Sequence, residues 1–176
     1  EDVWDILPKV SLKRIDCVDP VATANQLATP NSVVLTWHRK LADDIALKLG
    51  VTAINGSTPP NKRPQLMLEG QPIVGTAGSL GTGGNWFLQR NLGIIAELSW
   101  HAKFFSQTIG RFARIGGVDS EVVILVTKET DTIAIGIENK MKAITAAKPA
   151  NLSEKLSMKA LEETDYKARL RALKME

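Results

Sequence analysis

The sequence is poor in the residues that build cross-links and metal centres. Its 176 residues include one cysteine, Cys17, and two histidines, His38 and His101. No internal disulfide can form, and no Cys/His set with familiar zinc spacing can be assembled. Cys17 is therefore read as inert, and no metal site is expected. Tyrosine occurs once, and Tyr166 has Leu170 at the position where a Tyr-x-x-x-Lys dehydrogenase pair needs lysine. Long apolar runs are missing as well. Ser32 to Trp37, among the longest, is strand-sized and well short of the roughly 20 residues that span a bilayer. Nothing has the layout of a signal peptide, so a cytosolic or nuclear protein without membrane contacts is expected. No Gly-Lys pair occurs, which removes the Walker A loop Gly-x-x-x-x-Gly-Lys-Ser/Thr. Neither charge sign dominates: a net charge of +3 and a pI near 9.0 permit a polyanionic partner without requiring one.

What is present fits one buried core: 44% apolar and 23% charged residues over 19.2 kDa. Five short β-branched runs read as strands, at Val33 to Trp37, Val51 to Ile54, Pro72 to Thr76, Gly93 to Glu97 and Glu121 to Thr127. Helical patterns fall between them. Arg39 to Leu49 carries Leu41, Ile45 and Leu49 at helical spacing and stops at Gly50. Thr58-Pro59-Pro60 offers a helix start leading to Leu66 and Leu68. His101 to Ile115 has an apolar stripe of Phe104, Phe105, Ile109 and Phe112, and a further helix spans about Thr132 to Ala147. This alternation predicts an α/β fold with a mostly parallel sheet and helices on both faces. Residues 1–30 read as a lead-in that packs against the sheet or against something missing, 31–148 as the domain, and 149–176 as a peripheral C-terminal helix.

In such a fold, ligands gather at the carboxyl ends of strands. Thr36-Trp37-His38, Asn55-Gly56-Ser57-Thr58, Gly75-Thr76-Ala77-Gly78 and Leu98-Ser99-Trp100 each follow a predicted strand and should share one rim. The loop from Gly75 to Asn85 is rich in glycine, which lets backbone amides approach a phosphate or sugar; a plain turn has the same composition. It fails the Gly-x-Gly-x-x-Gly pattern, because Trp86 stands where the third glycine belongs. Gln107, Arg111 and Arg114 recur at helical spacing, which sets two guanidiniums side by side as a fork for phosphate or as a solvated basic face.

Taken in order, these segments resemble the second RecA-like domain of superfamily-two helicases, most closely the Swi/Snf-type DNA translocases, over roughly Ser32 to Thr127. Ser32-Val-Val-Leu-Thr-Trp-His38 resembles motif IV, and Ile54-Asn-Gly-Ser-Thr-Pro59 with Arg63 resembles the segment that follows it. Ser79-Leu80-Gly81-Thr82-Gly83-Gly84-Asn85-Trp86 resembles motif V, Ala-Gly-Gly-x-Gly-Leu-Asn-Leu, and Ser99-Trp100-His101-Ala102 the Trp-Asn-Pro segment, with His101 in place of asparagine. Gln107 to Gly117 resembles motif VI, Gln-x-x-Gly-Arg-x-x-Arg-Ile-Gly-Gln, with Gly117 replacing the last glutamine. The short connection from Arg63 to Pro72 is in keeping with a minimal member of the kind viruses encode.

The resemblance implies a RecA-like (Rossmann-like) domain that works as half of an ATP site, the other half being a first RecA-like domain of the same polypeptide. ATP and Mg2+ are then expected in the intact two-domain protein and neither on this chain alone. Arg111 and Arg114 take the place of arginine fingers, Gln107 couples nucleotide state to closure, and Gly81, Gly83, Asn85 and Gly110 border the nucleotide. Thr36, His38, Ser57, Thr58, Arg63, Thr76 and Ser79 become candidates for sequence-independent phosphate contacts to DNA, duplex by the family pattern. The implied function is that of an ATP-dependent helicase or translocase. A degenerate, non-enzymatic helicase-like scaffold for nucleic acid or protein and a Rossmann-like enzyme for another nucleotide cofactor are the rival readings.

Overall fold

In the computed structural model the described residues are 8–80, 86–99, 101–112, 114 and 116–146. Five strands form one all-parallel sheet in the order β1-β5-β4-β2-β3. They are β1 (Val10–Asp16), β2 (Ser32–Thr36), β3 (Ile73–Thr76), β4 (Leu92–Ile95) and β5 (Ser120–Val126). Parallel strands need crossovers, and six helices lie among the described residues: α1 (Pro20–Leu27), α2 (Arg39–Leu49), α3 (Arg63–Leu66), α4 (Ala77–Leu80), α5 (Ala102–Phe112) and α6 (Asp131–Ala146).

Strand periodicity sorts the core into two layers. Val34, Val74, Ile94, Val123 and Leu125 point to one face, where they meet Ala24 of α1 and Ala42, Ile45 and Ala46 of α2. Val33, Leu35, Ile73, Ile95, Val122 and Ile124 point to the other, against Phe105, Ile109 and Phe112 of α5 and Ile137 of α6. The doubly covered parallel sheet is the architecture expected from the sequence.

Local chemistry sets the element ends. Asp19 caps α1, its Oδ1 accepting from the amides of Val21 (3.0 Å) and Ala22 (3.3 Å), with Pro20 opening the helix. Helix α2 stops as predicted at Gly50, which takes φ 71°; the amides of Gly50 and Val51 bond back to the carbonyls of Leu47 and Ala46.

Three expectations are corrected. Val51 to Ile54 is not a strand: the helix stop consumes Val51, and only Ile54 pairs, bridging Gly75 at the edge of β3. The helix expected from Thr58 shrinks to α3, because Pro60 disfavours helical backbone at Pro59 and a turn occupies Pro59 to Lys62, so that the helix starts only at Arg63 with Pro64 in its first turn. The segment before Pro30 supplies β1 and α1, and β1 pairs with β5 from Val10↔Ser120 to Asp16↔Val126. Arg14 fastens that strand: 4% exposed, it donates to Asp16 (2.6 Å) and to Asp131 (2.7 Å) at the start of α6. Trp4, Ile6 and Leu7 and the peripheral helix after Asn151 lie outside the described residues.

Candidate nucleotide and nucleic-acid sites

The strand-end motifs do share one rim, at the carboxyl edge of β2, β3 and β4, the last of them as far as Leu98 and Ser99. There the backbone turns on side-chain hydrogen bonds. Buried Thr36 donates through Oγ1 to the His38 carbonyl (2.9 Å). Asn55 accepts at Oδ1 from the Ser57 amide (2.9 Å), while the Asn55 amide donates to Thr58 Oγ1 (3.0 Å). Thr76 Oγ1 donates to Ser79 Oγ (2.9 Å) in a buried pair. Thr36, Thr76 and Ser79 therefore turn inward and shape the rim, whereas His38 and Ser57 stand exposed on it. Arg63 ties two loops together, its NH1 donating to the Ser79 carbonyl (3.2 Å) and its Nε to the Thr58 carbonyl (3.4 Å). Arg39 NH1 donates to Ser57 Oγ (2.9 Å), which sets a second guanidinium on the same lip.

Glu97, which no motif singled out, organises the centre of the rim. Its Oε2 accepts from the amides of Trp37 (3.0 Å) and His38 (2.8 Å), and its Oε1 lies 2.6 Å from His38 Nδ1. Beside it, Trp37, His101 and Phe104 form an aromatic group. The Trp37 and His101 rings lie 5.1 Å apart at 31°, and Phe104 meets both edge-on at 5.4 and 5.8 Å. A cleft opens between this group, Glu97, Ser99 and Thr108.

The arginine motif lies at the opposite edge of the sheet. Helix α5 leaves the carboxyl rim at His101 and runs back, so that Phe112 packs on Gly93 at the start of β4 and on Phe87 (5.0 Å between ring centroids). Beyond it, Gln89 donates to the Gly116 carbonyl (3.3 Å) and the Val118 amide to the Leu88 carbonyl (3.0 Å). The helix ends at Phe112 rather than Ile115. Arg114 therefore stands in the turn that follows, where Gly116 takes φ 86°. The two guanidiniums nonetheless feel one another. Burial pushes the Arg111 proton affinity down, and the like charge of Arg114 pushes it further the same way. Gln107 is exposed one turn earlier and Gly110 is buried within the helix. Gly81, Gly83 and Asn85, as well as Trp100, lie outside the described residues. His/Cys/Asp/Glu groupings able to hold a metal are absent among the described residues, and no described helix is long and apolar enough to cross a membrane.

No family model matches this sequence, and no curated protein matches it. Solved structures do. The C-terminal domain of the DEAD-box protein Dbp5 aligns with a TM-score of 0.60 at 16% identity, over 79% of this chain and 87% of that one. The C-terminal part of the Fun30 ATPase domain aligns with a TM-score of 0.55 at 19% identity, over 76% of this chain and 47% of that one. A DEAD box protein from the hyperthermophile Methanococcus jannaschii aligns with a TM-score of 0.60 at 16% identity, over 80% and 41%. The chain thus spans less than half of the last two. Its fold is the one these domains share, the RecA-like all-parallel sheet expected from the sequence.

Proposed function

We propose that this chain is the second motor domain of an ATP-dependent helicase or translocase. Arg111 and Arg114 meet the γ-phosphate of ATP held on a first RecA-like domain, and Gln107 links nucleotide state to closure. The observation that carries this reading is the neighbouring pair of guanidiniums at the end of α5, half-buried and mutually repulsive. A triphosphate matches such a pair in charge and in the geometry of bidentate contacts. Gly81, Gly83, Asn85 and Gly110 would border that nucleotide, and Mg2+ would come with ATP on the first domain.

At the opposite edge, the exposed His38 and Ser57 with Thr58, Arg39 and Arg63 would follow a nucleic-acid strand through its phosphates, insensitive to sequence. The inward-turned Thr36, Thr76 and Ser79 support those contacts by holding the loops. The Swi/Snf-like motifs favour DNA as the track. An ATP site on one edge and a track on the other let closure of the two domains move the strand.

Arginine fingers contribute about 10³ to 10⁵ in rate, roughly 4 to 7 kcal/mol of transition-state stabilisation. In the intact protein Arg111→Ala should therefore abolish turnover in a steady-state ATPase assay while leaving binding of a fluorescent ATP analogue nearly unchanged. Full turnover in that variant would sink the proposal.

A further inference from the structure

The cleft at the carboxyl rim is unlike a phosphate site. Its wall is aromatic, and the charged group inside it is a carboxylate. Glu97 has its Oε2 committed to two backbone amides and its Oε1 to His38, so the anion is fixed in place by the turn it holds together. A phosphate entering the cleft would meet that negative charge, whereas the outer lip offers Arg39, Ser57 and Arg63. The strand backbone is thereby kept at the lip, outside the cleft.

His101 supplies the platform. It is exposed, yet its ring is held from beneath by Trp37 at 5.1 Å and from the side by Phe104 at 5.8 Å. Its backbone amide is steadied by Ser99 Oγ at 3.3 Å. An exposed ring with its rotamer already fixed loses little entropy when a second ring stacks on it. Nucleobases stack on aromatic side chains without regard to sequence, since every base has a π face.

Resting on the nucleic-acid reading above, we infer that an unpaired nucleobase of the tracked strand stacks at the mouth of this cleft, on the exposed His101 ring over Trp37. The domain then holds its track by one flipped or unpaired base as well as by phosphates, and a single-stranded stretch binds in preference to a blunt duplex.

The test uses this 176-residue chain and three fluorescein-labelled probes of equal length: a mixed-sequence DNA single strand, the same strand with abasic sites throughout, and its blunt duplex. By fluorescence anisotropy the single strand should bind roughly 5- to 100-fold more tightly than the abasic strand, the range expected for one stacked base. His101→Ala should erase that difference without weakening the abasic strand, and His101→Phe, which keeps a ring, should restore it. Equal affinity for intact and abasic strands overturns the inference and leaves the phosphate reading standing. So does a duplex bound as tightly as the single strand, or a His101→Ala variant that weakens all probes alike. Failure of every probe to bind overturns the phosphate reading as well.

Discussion

Removing the Arg90 guanidinium should cost this fold more than removing any exposed charge. Arg90 is 4% exposed. It donates to the carbonyls of Pro30 (3.0 Å), Gln71 (2.6 Å), Met67 (3.1 Å) and Leu68 (3.0 Å). Burial pushes its proton affinity down, offset in part by the charge of Glu69. Hydrogen bonds from a charged donor contribute about 1.5 to 3 kcal/mol each, so four amount to roughly 6 to 12 kcal/mol before desolvation. Withdrawing a guanidinium from water consumes several kcal/mol of that. Truncation leaves the carbonyls behind without their donor, however, and that asymmetry decides the outcome. Gln71 and Met67 are partly enclosed, while Pro30 and Leu68 are exposed and their carbonyls regain water. We therefore expect Arg90→Met, which keeps most of the stem volume, to lose about 3 kcal/mol. Arg90→Lys, a point donor unable to reach four carbonyls, should lose about 2 kcal/mol. With a urea m-value of about 2 kcal/mol/M, the midpoint should fall by roughly 1.5 M and 1 M respectively. A midpoint for Arg90→Met within about 0.2 M of the parent would refute the reasoning.

Two further substitutions probe the sheet and the rim. A Cβ on Gly93 would lie 2.7 Å from Phe112 Cζ and 3.3 Å from Val122 Cγ2, so Gly93→Ala should destabilise by about 1 to 3 kcal/mol in the same urea assay. Gly56→Ala, with nothing within 4 Å of the added carbon, should stay within about 0.5 kcal/mol; equal behaviour of the two would show that Phe112 yields. Glu97→Ala strips the Trp37 and His38 amides of their acceptor and should cost about 1 to 2 kcal/mol, a fall of roughly 3 to 6 °C in Tm at this size. An unchanged Tm would mean that water replaces the carboxylate.

Periodicity made the sheet's interior legible. Ser32 to Thr36, Ile73 to Thr76 and Ser120 to Val126 are buried on both faces and read as strands without context. Strand β1 alternates Leu12, Lys13, Arg14 with a cation in each turn of the pattern, and its membership depends on a partner 110 residues away that no local signal announces. Arg111 and Arg114 stand out as candidates because the motif is contiguous. Glu97 and Arg90 were not, since each acts through backbone groups distant in sequence: an acid after a strand and a base before one look like ordinary surface. Spacing also misled at Arg114, where the helical period outlasts the helix.

The pairing of β1 with β5 has a kinetic side. Val10 meets Ser120, so the strand cannot dock until about 110 further residues have been made. At ordinary synthesis rates of about 5 to 20 residues per second, that is a wait of roughly 5 to 20 s. Through that interval Val10 and Leu12 have no sheet to cover them, and Lys13 and Arg14 between them keep the segment from pairing with a neighbour of its own kind. When β5 does arrive, Arg14 finds Asp131 only a few residues further on. The loop closed by that contact is the longest-range commitment in the sheet, and non-local closures of this kind slow folding. Among the described strands, the last to be synthesised is thus the one that admits β1.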